Sequence, residues 1–140
     1  MKATLAYRIA AIVLVLFAAG HTLGFRKVDP HWGIDGIVAS MQTTQFDVHG
    51  VTRTYWDFYV GFGLFVSVLL LFAALVCWQF AGLDAATLRA MGVLRWALAA
   101  CFAANTYLCW RYFFLPPFVF STVLTILLVL AAGLSRRAVT

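Results

Sequence analysis

Four polar side chains, His21, Asp57, Asn105 and Arg111, stand within or at the rim of long apolar stretches of this 140-residue chain. A histidine beside a carboxylate is an acid/base couple. Under the aromatic groups of Trp32, Trp56 and Tyr59, His21 and Asp57 can move a proton on a lipophilic substrate of isoprenoid or quinone type. Asp57 and Arg111 carry opposite charges and can pair. Each residue also has a plainer reading. Asp57 follows Thr54 at the spacing of a helix cap, which satisfies free backbone N–H groups and opposes the helix dipole. Arg111 can snorkel to lipid headgroups, Asn105 can make an interhelical hydrogen bond, and His21 can pack between Gly20 and Gly24.

Other chemistries find less support. Haem ligation across helices needs paired histidines, and His21 with His31 or His49 is the available combination, without a CxxCH attachment motif. No HExxH, GxSxG or Gly-rich phosphate loop is present. Cys77, Cys101 and Cys109 fall inside apolar stretches without the paired spacing of a zinc site or disulfide framework, so they read as small buried apolar residues. Neither a cofactor nor a metal is expected.

The elements that must hold these residues are transmembrane helices. The chain is 64% hydrophobic and 11% charged, with mean hydropathy +0.95, far from the habits of a soluble domain. Roughly 20 residues at about 1.5 Å rise span a hydrocarbon core of about 30 Å. Helices are predicted at about 4–24, 54–80, 88–115 and 118–134, in a single membrane domain over residues 1–140. The first resembles a signal peptide at Phe17-Ala18-Ala19-Gly20 but exceeds the usual h-region length, and reads as a helix. Gly20 and Gly24 form a small-xxx-small pair that invites close helix approach. Pro116 and Pro117 cannot continue the third helix, so a turn is expected there. The fold class is all-α, a four-helix transmembrane bundle with a long structured extracytoplasmic loop, residues 25–53, between helices 1 and 2. Within the loop, Ile34, Ile37, Val38, Met41 and Gln45 follow helical spacing and suit a short helix at the membrane interface.

The net charge of +5 comes without a basic run that would follow a phosphate backbone, so no nucleic-acid partner is expected. Charge instead orients the spans. Lys2, Arg8, Arg89, Arg95, Arg136 and Arg137 fall on one side against Asp84, which places both termini in the cytoplasm of a multi-pass protein of the bacterial inner membrane. In that topology His21, Asp57 and Arg111 share a layer roughly 5 Å below the outer interface. Ionisable groups there find partners or line a cavity.

Gly20-His21-Thr22-Leu23-Gly24-Phe25, the Met41 to Phe46 stretch, Gly50, Arg53, and Tyr55-Trp56-Asp57-Phe58-Tyr59 followed by Gly61-Phe62-Gly63 resemble a family of small bacterial four-helix membrane proteins of uncharacterised function. The resemblance extends to about Phe80; beyond it, only hydropathy matches. In overall plan the chain is distantly similar to the DoxX-type four-helix membrane proteins, some linked to quinone or redox metabolism. The resemblance implies the fold and adds weight to His21, Arg53 and Asp57, and it implies no activity.

The leading expectation is a non-enzymatic membrane protein. It would bind a lipid or other lipophilic small molecule in an outer-leaflet pocket formed by His21, Arg53, Trp56, Asp57, Tyr59, Asn105 and Arg111. The alternatives are an enzyme on a lipophilic substrate with His21 and Asp57 as acid/base residues, and a structural subunit that packs against a partner membrane protein or a second copy of itself.

Overall fold

Ala3–Gly24 forms helix α1 in the computed structural model, which describes residues 2–135. Buried positions recur every three or four residues, at Tyr7, Ala10, Leu14, Phe17 and Ala18, the spacing that puts side chains on one helical face. A single 3-10 turn at Pro30–Trp32 follows, then α2 (Asp35–Thr43), β1 (Gln45–Val48), β2 (Val51–Thr54), α3 (Tyr55–Gly82), α4 (Ala85–Ala90), α5 (Gly92–Tyr112) and α6 (Leu115–Leu134). The architecture is all-α with one small hairpin. Three helices, α1, α3 and α6, are long and apolar enough to cross a membrane. The fourth long helix, α5, is not among them, because Arg95, Asn105, Thr106 and Arg111 dilute its 21 residues. Of the bases counted for orientation, Arg136 and Arg137 lie outside the described residues.

Much of the connection expected as a loop over 25–53 is regular structure. The Asp29 carboxylate accepts from the His31 N–H at 2.9 Å and starts the 3-10 turn. Helix α2 falls inside the stretch predicted by apolar spacing, and none of its residues is buried. The β1–β2 hairpin is an addition to the sequence reading. His49 and Gly50 connect the strands with φ of 52° and 84°, the two positive values of a type I′ turn whose twist matches the flanking strands. The Asp47 carboxylate accepts from the Gly50 N–H at 3.1 Å and holds that turn.

Two helix boundaries differ from expectation. The segment 88–115 is divided, since α4 ends at Ala90 and α5 begins at Gly92. Pro116 and Pro117 do not lie in the break but in the first turn of α6, where a missing N–H leaves no bond unmade. The chain turns instead at Phe113 and Phe114, both extended.

Contacts divide the chain into two compact units, one of residues up to Phe17 together with those from Leu70 onward, the other Ala18–Leu69. The first has a core of Tyr7, Leu14, Cys77, Phe80, Phe102, Leu124 and Leu128. Tyr7 meets Phe80 edge-on at 5.2 Å, and Phe17 stacks on Phe120 at 5.1 Å. Helices α5 and α6 are joined by hydroxyl contacts. Thr106 and Thr125 bond at 2.9 Å, and Cys109 Sγ lies 3.3 Å from the Ser121 hydroxyl. Cys77 and Cys109 are buried as expected, whereas Cys101 is exposed, because it lies off the α5 stripe of Arg95, Ala99, Phe102 and Cys109 that packs inward.

The second unit is fastened by polar bonds between the end of α1 and the start of α3. His21 Nε2 donates to the Gly63 carbonyl at 3.0 Å. The one Thr22 hydroxyl proton is shared between the Ala18 carbonyl, at 2.7 Å, and the Ser67 hydroxyl, at 2.8 Å. Close packing falls on Gly63 rather than on the expected pair. A Cβ at Gly63 would overlap the Phe25 ring, whereas one at Gly20 or Gly24 would meet nothing within 4 Å among the described residues.

Candidate functional site

Thr54 ends β2 and caps α3, so the hairpin feeds straight into the longest helix. The Thr54 N–H and hydroxyl donate to Asp57 Oδ2 at 2.8 and 3.0 Å, and the Asp57 N–H donates back to Thr54 Oγ1 at 3.1 Å. This is a reciprocal capping box. The cap reading of Asp57 therefore holds, and it engages one carboxylate oxygen. Oδ1 takes no bond among the described residues. One residue before Thr54, Arg53 donates from Nη1 to the Thr52 carbonyl at 2.7 Å, which leaves the rest of its guanidinium fork exposed.

These two charged side chains stand at one end of a surface groove of about 270 Å³, lined also by Phe58, Gly61, Phe62 and Phe65. Positions 58, 61, 62 and 65 fall on one face of an α-helix, so the apolar wall runs along α3 away from the Arg53 and Asp57 end. Phe62 and Phe65 are 71% and 68% exposed, so the groove faces outward from this unit rather than into its core. Gly61 widens it, since a Cβ there would meet nothing within 4 Å among the described residues. The groove is thus amphipathic along its length, with a charged end and an aromatic run.

Aromatic contacts brace the charged end. Phe46 of β1 stacks on Phe58 at 6.0 Å and tilts against Tyr55 at 5.0 Å, which fixes the hairpin to α3. Trp56 stacks on Tyr59 at 5.3 Å, and the Tyr59 hydroxyl donates to the Phe25 carbonyl. Phe25 in turn stacks on the His21 ring at 5.1 Å. Because the Gly63 oxygen can only accept, His21 donates to it from Nε2. His21 and Asp57 are held by different partners, a helix carbonyl and a helix cap.

Asn105 and Arg111 belong to the other unit. Asn105 is half-buried and makes no side-chain hydrogen bond among the described residues; the interhelical bonds of α5 come from Arg95, Thr106 and Cys109. Arg111 is exposed, its guanidinium 5.2 Å from the Tyr112 ring centroid.

The sequence reading passes over two features. The Phe58, Phe62 and Phe65 wall is legible as a one-face spacing directly after Arg53 and Asp57. Arg95, counted from the sequence only among the bases that orient the spans, is 2% exposed. Its Nη1 donates to the Ala132 carbonyl at 2.9 Å and its Nη2 to the Arg89 carbonyl at 3.3 Å. Those carbonyls lie in the last turns of α6 and α4, whose negative dipole ends favour a cation.

No family model, curated protein or solved structure matches this chain.

Proposed function

We propose that this multi-pass membrane protein holds a lipid or other lipophilic small molecule in the α3 groove. The observation that carries the reading is the order of side chains along it. Arg53 and Asp57 meet a polar head that offers both an acceptor and a donor, and Phe58, Phe62 and Phe65 lie against a chain or ring system. The free Asp57 Oδ1 accepts from a hydroxyl or amine of the head, and the outer Arg53 nitrogens donate to its carbonyl or phosphate oxygens. Aromatic side chains with polar neighbours suit the level where headgroups meet acyl chains.

In this reading α5 is a fourth span. Its 21 residues reach about 30 Å, and Thr106 and Cys109 spend their polar groups on α6. Four spans return both termini to one side, and the six bases on that side, Lys2, Arg8, Arg89, Arg95, Arg136 and Arg137, outnumber Arg26, Lys27, Arg53 and Arg111 on the other, which favours the cytoplasmic side of a bacterial inner membrane. An acid/base role for His21 and Asp57 is the weaker reading, because both spend polar atoms on holding α3.

The test is native mass spectrometry of the chain extracted in mild detergent, with Gly61→Leu and Arg53→Ala beside it. Gly61→Leu fills the groove from a position with free space around it. A retained lipophilic species of defined mass, depleted in both variants, is the expected result. Equal retention in all three proteins would overturn the assignment.

A further inference from the structure

We propose that the α3 groove selects a phospholipid whose head is zwitterionic and carries a primary amine, a phosphoethanolamine head in place of a phosphocholine or phosphoglycerol one. This selectivity rests on the groove being a lipid site and specifies the head that fits it. The lining holds one cation and one anion, Arg53 and Asp57, and otherwise only Gly61 and three phenylalanines. A head that joins a phosphate to an ammonium carries the complementary pair of charges.

Both side chains keep polar atoms for such a head. Among the described residues no hydrogen bond joins Arg53 to Asp57. Arg53 spends Nη1 on the Thr52 carbonyl, and Asp57 spends Oδ2 on the Thr54 N–H and hydroxyl. What remains is the Nε and Nη2 edge of a guanidinium, which can fork onto two phosphate oxygens, and Asp57 Oδ1, which accepts. That acceptor separates the amines, because a primary ammonium donates N–H groups and a trimethylammonium has none. Charge separates the zwitterion from the anion. A phosphoglycerol head can donate from its hydroxyls, but it brings net negative charge to a lining in which Asp57 already offsets Arg53.

The apolar part sets how much of the lipid is held. From Asp57 to Phe65 the groove follows α3 for about 12 Å. Its volume of about 270 Å³ is at the small end for a ligand pocket. The head and the upper part of one chain therefore lie in the groove, against Phe58, Phe62 and Phe65, while the tails stay in the bilayer. Free phosphoethanolamine has nothing to lay on those rings, so the lipid is the ligand.

The full chain is placed in nanodiscs of phosphatidylcholine containing equal amounts of phosphatidylethanolamine and phosphatidylglycerol, and the lipids that stay bound on release are weighed by native mass spectrometry. A second series replaces phosphatidylethanolamine by its N-methyl and N,N-dimethyl forms, which lose one N–H at each step and keep the zwitterion. Asp57→Asn and Gly61→Leu are the variants. Asn at 57 keeps an oxygen for the Thr54 cap and puts an NH₂ in place of the free acceptor. The wild type is expected to retain phosphatidylethanolamine over both other lipids, with retention falling along the methylated series. Gly61→Leu depletes it, and Asp57→Asn cuts the preference over phosphatidylcholine about tenfold, as loss of a hydrogen bond to a charged group does. The methylated series needs no substitution, so it decides the matter even where Asp57→Asn unsettles the start of α3. A lipid depleted by Gly61→Leu but retained without regard to its amine, or an amine preference that survives Asp57→Asn, leaves the groove occupied and overturns the head selectivity. Retention that Gly61→Leu does not change overturns the groove as a lipid site, and the selectivity with it.

Discussion

His21 Nε2 donates to the Gly63 carbonyl at 3.0 Å across 42 residues of sequence, and the Phe25 ring fills the space between that bond and Tyr59. One polar bond and one glycine thus decide how the end of α1 meets α3 within this unit. His21→Ala removes a part-buried hydrogen bond and a ring stack, an expected loss of about 1–2 kcal/mol. His21→Gln keeps a donor and recovers part of that loss. Unfolding in a mixed-detergent series reads both values, and a His21→Ala protein as stable as the wild type would refute this role.

Gly63 and Gly61 test the same region from the packing side. Gly63→Ala drives a methyl into the Phe25 ring, so the ring must leave His21 and Tyr59, at an expected cost of about 1–3 kcal/mol. At Gly61 the same substitution meets nothing, and better helix propensity makes it neutral or stabilising by up to about 1 kcal/mol. Opposite signs two residues apart on one helix are the outcome to look for in the same unfolding series. Equal effects would mean that the Phe25 contact does not constrain the unit.

Arg95 is expected to matter more than any exposed base. Arg95→Ala strips the Ala132 and Arg89 carbonyls of buried donors and empties a fully packed position, an expected loss of about 2–4 kcal/mol. Arg95→Lys retains the charge but has no fork to reach both helix ends, so it recovers only part. The nearby Tyr7 hydroxyl is buried beside Arg95 and Ser135 without reaching hydrogen-bond geometry with either. Tyr7→Phe is therefore neutral or slightly stabilising. A strongly destabilised Tyr7→Phe would show that the hydroxyl is bonded after all.

Which of these features the sequence discloses depends on whether the partner is a side chain or a backbone atom. The Thr54 and Asp57 box is legible because both partners are residue types at a fixed spacing. The long helices are legible because apolar runs of this length have few other solutions. The burial of Arg95 is not legible in the sequence because its partners are carbonyls at the ends of two other helices, which no residue type marks. Gly63 outranks Gly20 and Gly24 only through where Phe25 falls, a fact of tertiary packing. The hairpin was within reach: Phe46 and Val48 alternate with polar neighbours before a two-residue turn ending in glycine.

Asp84 gives the pH dependence a definite sign. As N-cap of α4, its carboxylate accepts from the Thr87 hydroxyl at 2.6 Å and from the Thr87 and Ala86 N–H groups at 3.0 and 2.9 Å. Those bonds, the Thr87 hydroxyl foremost, favour the charged form and hold its pKa below the ordinary 3.8. A carboxyl group with a lowered folded-state pKa stabilises fully above its unfolded value, and the contribution disappears as pH falls through the folded one. The start of α4 is therefore unchanged from neutral pH down to about 4 and frays below the ordinary 3.8. Amide hydrogen exchange at Ala86, Thr87 and Leu88 follows it, after correction for the intrinsic pH dependence of exchange. Asp84→Ala should show the frayed exchange at neutral pH and lose the acid transition. Asp84→Asn keeps a weaker cap and also loses the transition. Persistence of the transition in either variant would assign it to another group.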